Sequence, residues 1–226
     1  MPFYLKDEFP ILSGEVTEPR KGNWHAEFEV QAPDPVIGEL TSFRLYDVKW
    51  EGRITKGGVY AGRRWVYIEG GKGDLRGILP AKDYQQQPVR IPAQDILTKF
   101  NMKLSTQYAD SVLNERLTTW VRVQGPASSQ FSQLISHYGD YYWRVLSDST
   151  VGIFSNEKNY SKKEFELFTD YQIMHYDPTW LRTTIAIGGK EKMVTHFKTF
   201  LDVDADYIVH KVDSNKLRTL VWQRNP

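Results

Sequence analysis

Residues 24–31, WHAEFEVQ, alternate without a break: Trp24, Ala26, Phe28 and Val30 are apolar, and His25, Glu27, Glu29 and Gln31 are polar. A side-chain period of two belongs to a pleated strand with one face in a core and the other in water. A half-buried strand needs neighbours, and the flanking sequence offers them. Residues 43–50 read as a strand, Glu51-Gly52 as a turn and residues 53–55 as a return; beyond Lys56-Gly57-Gly58 another apolar stretch ends in Trp65, Val66, Tyr67 and Ile68. Residues 1–86 are therefore predicted to be antiparallel β structure with short connections.

At Gln85-Gln86-Gln87-Pro88 the strand signals stop and helical ones begin. Pro92 suits a first helical turn, and Ile96, Leu97 and Phe100 share a helix face. A second helix is expected over 107–117, burying Tyr108, Val112 and Leu113. WVRVQG then reads as a short strand, and PASSQFSQLISHYG as a helix with Phe131, Leu134, Ile135 and Tyr138 on one face and Gly139 as its C-terminal cap. YYWRVL, SDST and VGIFS form a hairpin. Residues 87–161 thus make a small α+β unit. The β pattern returns from 162, with strands at 183–187, 194–200 and 207–212 and a turn at 213–216 into LRTLVW. That last strand carries apolar residues on both faces, as expected between other strands or against a partner.

Several chemistries are excluded. The 226 residues include no cysteine, so disulfides and thiolate metal sites are impossible. Acidic and basic residues balance to within one charge in each of 1–88, 89–161 and 162–226, which leaves no basic footprint for nucleic acid. The start has charges inside its apolar run, and no uncharged stretch approaches the length of a membrane span, so a soluble chain without a cleaved signal is expected. The glycines of YIEGGKGDLRGILPAKDY suggest a phosphate cradle, but counting from Gly71 the sixth residue is Arg76, and the P-loop positions hold Val66 and Gly73. A glycine-rich turn that lets backbones approach closely is the better reading.

The five histidines, His25, His137, His175, His196 and His210, show no metal-ligand spacing. Asp202, Asp204 and Asp206 imitate the first half of a calcium loop, yet Tyr207 replaces its glycine and Asp213 its glutamate. Ser128-Ser129 falls in a helix's first turn rather than on a nucleophile elbow. The carboxylate pairs Asp7-Glu8 and Glu164 with Glu166 define no cleft. No catalytic residue, metal or cofactor is expected.

The layout resembles the tail-hub proteins of tailed bacteriophages and related contractile injection machines. GNWHAEFEV is similar to their early "G-x-W-x-A" strand, and EGRITKGG to the hairpin that follows. VYIEGGKGDLRGILPAKDY resembles the "GG-x-GGL…Y" turn closing the first β domain, with Asp74 in place of a glycine. WVRVQGPASSQFSQLISHYGDYYWRVLSDSTVGIF resembles the inserted α/β unit with its "WRV…DGT" hairpin, with Ser149 at the usual turn glycine. DYIVHKVDSNKLRTLVW resembles the hairpin closing the second β domain. The likeness runs from about residue 14 to 222.

The resemblance implies a mainly β, α+β fold: an N-terminal β domain (1–86), a helical/α+β insert (87–161) and a C-terminal β domain (162–226), both β domains barrel-like and tube-forming. It also implies a homotrimer, whose six β domains make a pseudo-sixfold ring between a tail tube or distal tail protein and a threefold spike or fibre. The ring belongs to a virion tail tip or baseplate assembled in the host cytoplasm. DNA passes transiently through its lumen, Asp202, Asp204 and Asp206 are candidate lumen-facing carboxylates, and no membrane insertion is implied. The aromatic content of 14% also suits a carbohydrate- or receptor-binding β module, the alternative reading. An enzyme such as a wall hydrolase ranks third, because no motif supports it.

Overall fold

The computed structural model describes residues 3–45, 48–108, 111–139, 141–155, 171–177, 182–187, 205–213 and 216–224. The chain divides into two compact units, Met1–Gly70 with Asn159–Pro226 and Gly71–Lys158. The first unit begins with strands β1 (Phe3–Leu5), β2 (Phe9–Pro19), β3 (His25–Val30), β4 (Leu40–Leu45), β5 (Val48–Tyr60) and β6 (Arg63–Gly70). They pair in the order β1-β4-β5-β6-β3-β2, and β2 returns to β1 through Phe3↔Ile11, Tyr4↔Pro10 and Leu5↔Phe9. The six strands therefore close into a barrel, which removes the exposed edges an open sheet would leave.

The barrel's interior follows from the alternation in β3. Trp24, Phe28, Phe43 and Trp50 are all buried. Trp24 meets Trp50 edge-on at 5.1 Å between centroids and Phe28 meets Phe43 at 4.8 Å, while Phe43 and Trp50 stack nearly parallel at 6.0 Å. Each such side chain contributes about 1.5–3 kcal/mol by leaving water.

β5 differs from the sequence expectation. Glu51-Gly52 and Lys56-Gly57-Gly58, read as turns, lie inside a strand of 13 residues. The turn comes later, at Ala61 (φ 50°) and Gly62 (φ 76°), the pair of positive φ values a two-residue hairpin requires. Gly52 is glycine because the Trp24 ring occupies its side-chain space: a β-carbon there would stand 2.8 Å from Cη2.

The second unit holds β7 (Ile78–Leu79), β8 (Lys82–Pro88), α1 (Arg90–Thr98), β9 (Lys103–Leu104), a 3-10 turn (Ser111–Asn114), β10 (Arg116–Arg122), β11 (Gly125–Pro126), α2 (Ala127–Ser136), β12 (Tyr141–Val145) and β13 (Thr150–Ser155). β7 pairs with β11 and β8 with β10 in one continuous register, from Ile78↔Pro126 to Pro88↔Arg116. β12 and β13 form the expected hairpin, and β9 joins β13 in parallel. Ser149 adopts φ 65° at the hairpin turn, so it occupies the left-handed position usual for glycine.

α1 and α2 bury the apolar faces their periodicity gives, Ile96 and Leu97 in one and Phe131, Leu134 and Ile135 in the other. The C-cap of α2 is His137 rather than the expected Gly139, which lies two residues further on and, with φ 98°, takes the left-handed position of the following turn. One further expectation fails here. The helix expected over 107–117 shrinks to the single 3-10 turn, which still buries Val112 and Leu113. The Gln85–Gln87 run is strand, held by pairing with β10, and the change from strand to helix follows it directly, β8 ending at Pro88 and α1 beginning at Arg90.

From the C-terminal part come β14 (Tyr171–Asp177), β15 (Arg182–Ile187), β16 (Ala205–Asp213) and β17 (Lys216–Arg224). β16 pairs with β2 from Tyr207↔Pro19 to Asp213↔Ser13, beyond the point where β1 leaves it. Among the described residues the barrel thus opens along β2 into a ten-stranded sheet ending β16-β17-β15-β14. The fold is mainly β, with two α-helices among the described residues. The strand expected at 194–200 lies outside them.

Candidate functional site

The barrel's outer face is ordered in rows that the register fixes. One row runs Glu15, Glu27, Tyr67, Lys56 across β2, β3, β6 and β5, and the next runs Ser13, Glu29, Trp65, Gly58. Rows two residues apart lie about 7 Å from each other along the strands. A register shift between Ile54 and Lys56 inserts one extra residue, and this bulge keeps Arg53 and Lys56 on the same outer face.

Side chains on these rows interlock. His25 stacks on Tyr67 at 5.6 Å between centroids, and the Lys56 ammonium sits 5.6 Å from the centre of the same ring. Glu29 accepts hydrogen bonds from Ser13 Oγ at 3.0 Å and Arg63 Nη1 at 3.2 Å. Burial pulls the His25 imidazole below its ordinary pKa of 6.5, against the opposing fields of Glu15, Glu69 and Glu27. Beside Trp65 the face is open: Glu27, Lys56, Gly58, Tyr60, Trp65 and Tyr67 border a groove of about 630 Å³.

Inside the first unit a polar latch ties the chain's two ends. His210 on β16 is fully buried, its Nε2 3.1 Å from Glu18 Oε1 on β2 and its Nδ1 2.9 Å from Thr219 Oγ1 on β17. Glu18 lies on the inner face because it shares parity with Val16, whose partner across the strand pair is His210. A carboxylate there is tolerated because the imidazole meets it.

The second unit has its own clamp. Arg122 on β10, 2% exposed, donates to Pro80 O at 3.1 Å, Tyr84 Oη at 3.1 Å and Asp95 Oδ2 at 2.9 Å. Tyr84 also donates to Asp95, and Lys82 ion-pairs with its other oxygen at 3.1 Å. Burial pushes the Asp95 carboxyl up, but the bonds from Tyr84, Lys82 and Arg122 outweigh it and hold the group below 3.8. Burial and the bond to Asp95 raise the Tyr84 phenol well above its usual range. The bonds from Arg122, Tyr84 and Lys82 converge on Asp95 and so fasten α1 to the β8–β10 ribbon.

The glycine-rich stretch proves to be a packing device. Gly70 has the Trp24 ring against it, Gly71 has φ 97° with Met102 Cε 2.7 Å from where a β-carbon would stand, and Gly77 packs on the Phe100 ring. Asp74, which stands where the resemblance places a glycine, accepts from Arg76 N at 3.0 Å and closes the turn. The described histidine side chains of the first unit, His25 and His210, do not converge. His25 is on the barrel exterior, His210 in the interior and His137 at the end of α2; His175 contributes backbone to β14, and His196 lies outside the described residues. Among the described residues no group of three or more His, Asp or Glu could hold a metal ion.

Ser128 and Ser129 lie in the first turn of α2. Asp7 ion-pairs with Arg44 at 3.2 Å, whereas Glu164 and Glu166 are outside the described residues. So are Asp202 and Asp204; the backbone of Asp206 sits in β16 where the register with β17 shifts. Sequence reasoning missed the His210–Glu18 latch and the Arg122 clamp, since each joins residues far apart in the chain, 192 positions for the latch. Among the described residues no helix is long and apolar enough to cross a membrane.

No protein-family model matches the chain, and no curated protein matches it in sequence. Solved structures do. The crystal structure of the 43 kDa tail protein of prophage MuSo2 from Shewanella oneidensis superposes with a TM-score of 0.69 at 8% identity, covering 100% of this chain and 99% of that one. An E. coli component of the type VI secretion system, described as structurally similar to the T4 bacteriophage tail proteins gp27 and gp5, gives 0.65 at 12% identity over 100% of this chain and 77% of that one. A tail protein from Neisseria meningitidis MC58 gives 0.64 at 10% identity, over 100% and 97%. The fold is that of phage-type tail proteins, in agreement with the sequence resemblance.

Proposed function

We propose that this chain is a structural subunit of a phage-type tail tip or baseplate hub, whose work is assembly rather than a reaction. The reading is carried by one observation: the likeness to tail proteins spans the whole of this chain, helices and strands alike. It is supported physically by a closed barrel whose sheet continues along β2 into the C-terminal strands.

In this reading residues 1–86 and 162–226 are two tube-forming domains around the insert at 87–161. Three chains place six such domains in a pseudo-sixfold ring, joining a sixfold tail tube to a threefold spike or fibre. Asp202, Asp204 and Asp206 face the lumen, where like charge keeps passing DNA from adhering. The ring forms in the host cytoplasm and stays in the virion.

Mass photometry of the purified chain, alone and with tail-tube and spike proteins, tests the assembly. A trimer in either sample, seen as a ring in negative stain, is the expected result. A chain that stays monomeric in both overturns the reading.

A further inference from the structure

Glycine inside a strand lacks side-chain packing and costs conformational entropy, so each one calls for a reason. In β5 two of the three have one. Gly52 makes room for Trp24, and at Gly57 the Pro35 ring fills the space of a side chain. Gly58 has neither: its φ is not in the left-handed region, and a β-carbon there would meet nothing within 4 Å. It lies directly across from Trp65 on the barrel's outer face. The missing side chain leaves the floor of the groove beside the indole bare, as strand glycines do where a ligand comes close to the backbone.

The groove's other walls fit one ligand chemistry. Its volume of about 630 Å³ lies within the range of small-molecule sites, roughly 300–1,000 Å³. Trp65 and Tyr67 stand half-buried on β6, two residues apart on the same face, and Tyr60, 78% exposed, rises from the neighbouring strand. Glu27 and Lys56 flank Tyr67 on either side in the same row. The groove thus offers aromatic faces, one carboxylate acceptor and one ammonium donor, with no net charge. A pyranose ring presents an apolar C–H face that stacks on an aromatic ring, and a rim of hydroxyls that both donate and accept. A phosphate or polyanion would be repelled by Glu27 as it is attracted by Lys56, and would gain no net charge complementarity.

The geometry points to a saccharide-binding groove on the outer wall of the barrel, with a neutral pyranose stacked on Trp65 above Gly58 and its hydroxyls bonded by Glu27 and Lys56. One chain supplies every residue that borders the groove.

The test uses the full chain on an array of neutral oligosaccharides, including chitotetraose and maltotetraose, followed by calorimetric titration of whichever binds. Trp65→Ala should weaken binding about tenfold or more, the scale of losing one stacked anchor. Gly58→Val fills the groove without touching the core, and should abolish binding while the melting temperature holds or rises. The proposal is overturned if the wild-type chain binds no neutral glycan, or if Gly58→Val binds as well as wild type. Self-association lost in Gly58→Val, with no glycan bound, also overturns it and makes the face an interface between copies.

Discussion

The indole of Trp24 lies on Gly70, where a β-carbon would stand 2.5 Å from Nε1 and 2.7 Å from Cδ1, and Gly70 N in turn donates to Trp24 O at 2.8 Å. Trp24 is also in edge contact with Phe43 and Trp50, so the ring has nowhere to retreat. Gly70→Ala should therefore overpack the barrel and cost about 1–3 kcal/mol. Gly58→Ala, a few positions along the neighbouring strand with open space beside it, should be neutral or stabilising by up to about 1 kcal/mol. Urea midpoints of the two variants check the opposite signs; equal losses would contradict the assignment.

His210 and Glu18 meet in the interior with almost no access to water, their side chains 0% and 6% exposed. Removing one partner strands the other. His210→Ala should lose about 3 kcal/mol, because the Glu18 carboxyl is left buried without its partner. Glu18→Gln keeps an acceptor for the imidazole N–H and should lose less, about 1 kcal/mol. Chemical denaturation of both variants gives the ranking, and a larger loss in Glu18→Gln would overturn it.

Some of this fold is legible in the sequence and some is not, for reasons that can be traced to residues. β3 is legible because its inner residues, Ala26, Phe28 and Val30, are all apolar and its outer ones all polar. α1 and α2 are legible because their buried residues recur at helical spacing. β2 is not. Its inner face carries Gly14, which lets Phe28 approach, and Glu18, which depends on a histidine near the other end of the chain. β5 hides for a related reason: glycines that locally signal turns are there for contacts with Trp24 and Pro35. The rows of the outer face are less legible still. They need the register of four strands and the bulge before Lys56, none of which a linear pattern encodes.

The clamp in the second unit should be acid-labile in a defined window. Asp95 has its folded pKa held below 3.8, so it binds fewer protons folded than unfolded between those values. Its contribution is present above pH 3.8 and is lost as pH falls through the folded value. Asp95→Asn should flatten that part of the stability profile. It should also weaken the unit at neutral pH, because Arg122 stays buried without its charge partner. Hydrogen exchange of the α1 and β8 amides at pH 3 and pH 7 reports both effects; an unchanged acid slope would count against the clamp.

His25 works in the opposite part of the pH scale. Its folded pKa is lowered from 6.5 mainly by burial, so between the folded value and 6.5 the unfolded chain binds more protons than the folded one. The contribution of His25 is then fully present above pH 6.5 and falls as acid protonates the unfolded state first. Three carboxylates, Glu15, Glu69 and Glu27, oppose the shift, and the slope should steepen when one of them is neutralised. Glu69→Gln is the suitable choice, since Glu69 pairs directly with His25 across β3 and β6. His25→Gln should reduce the slope between pH 7.5 and 5.5, while Glu69→Gln should enlarge it. Urea midpoints of the three proteins at those two pH values decide the matter, and a Glu69→Gln profile flatter than wild type would show that the carboxylate, rather than burial, sets the balance.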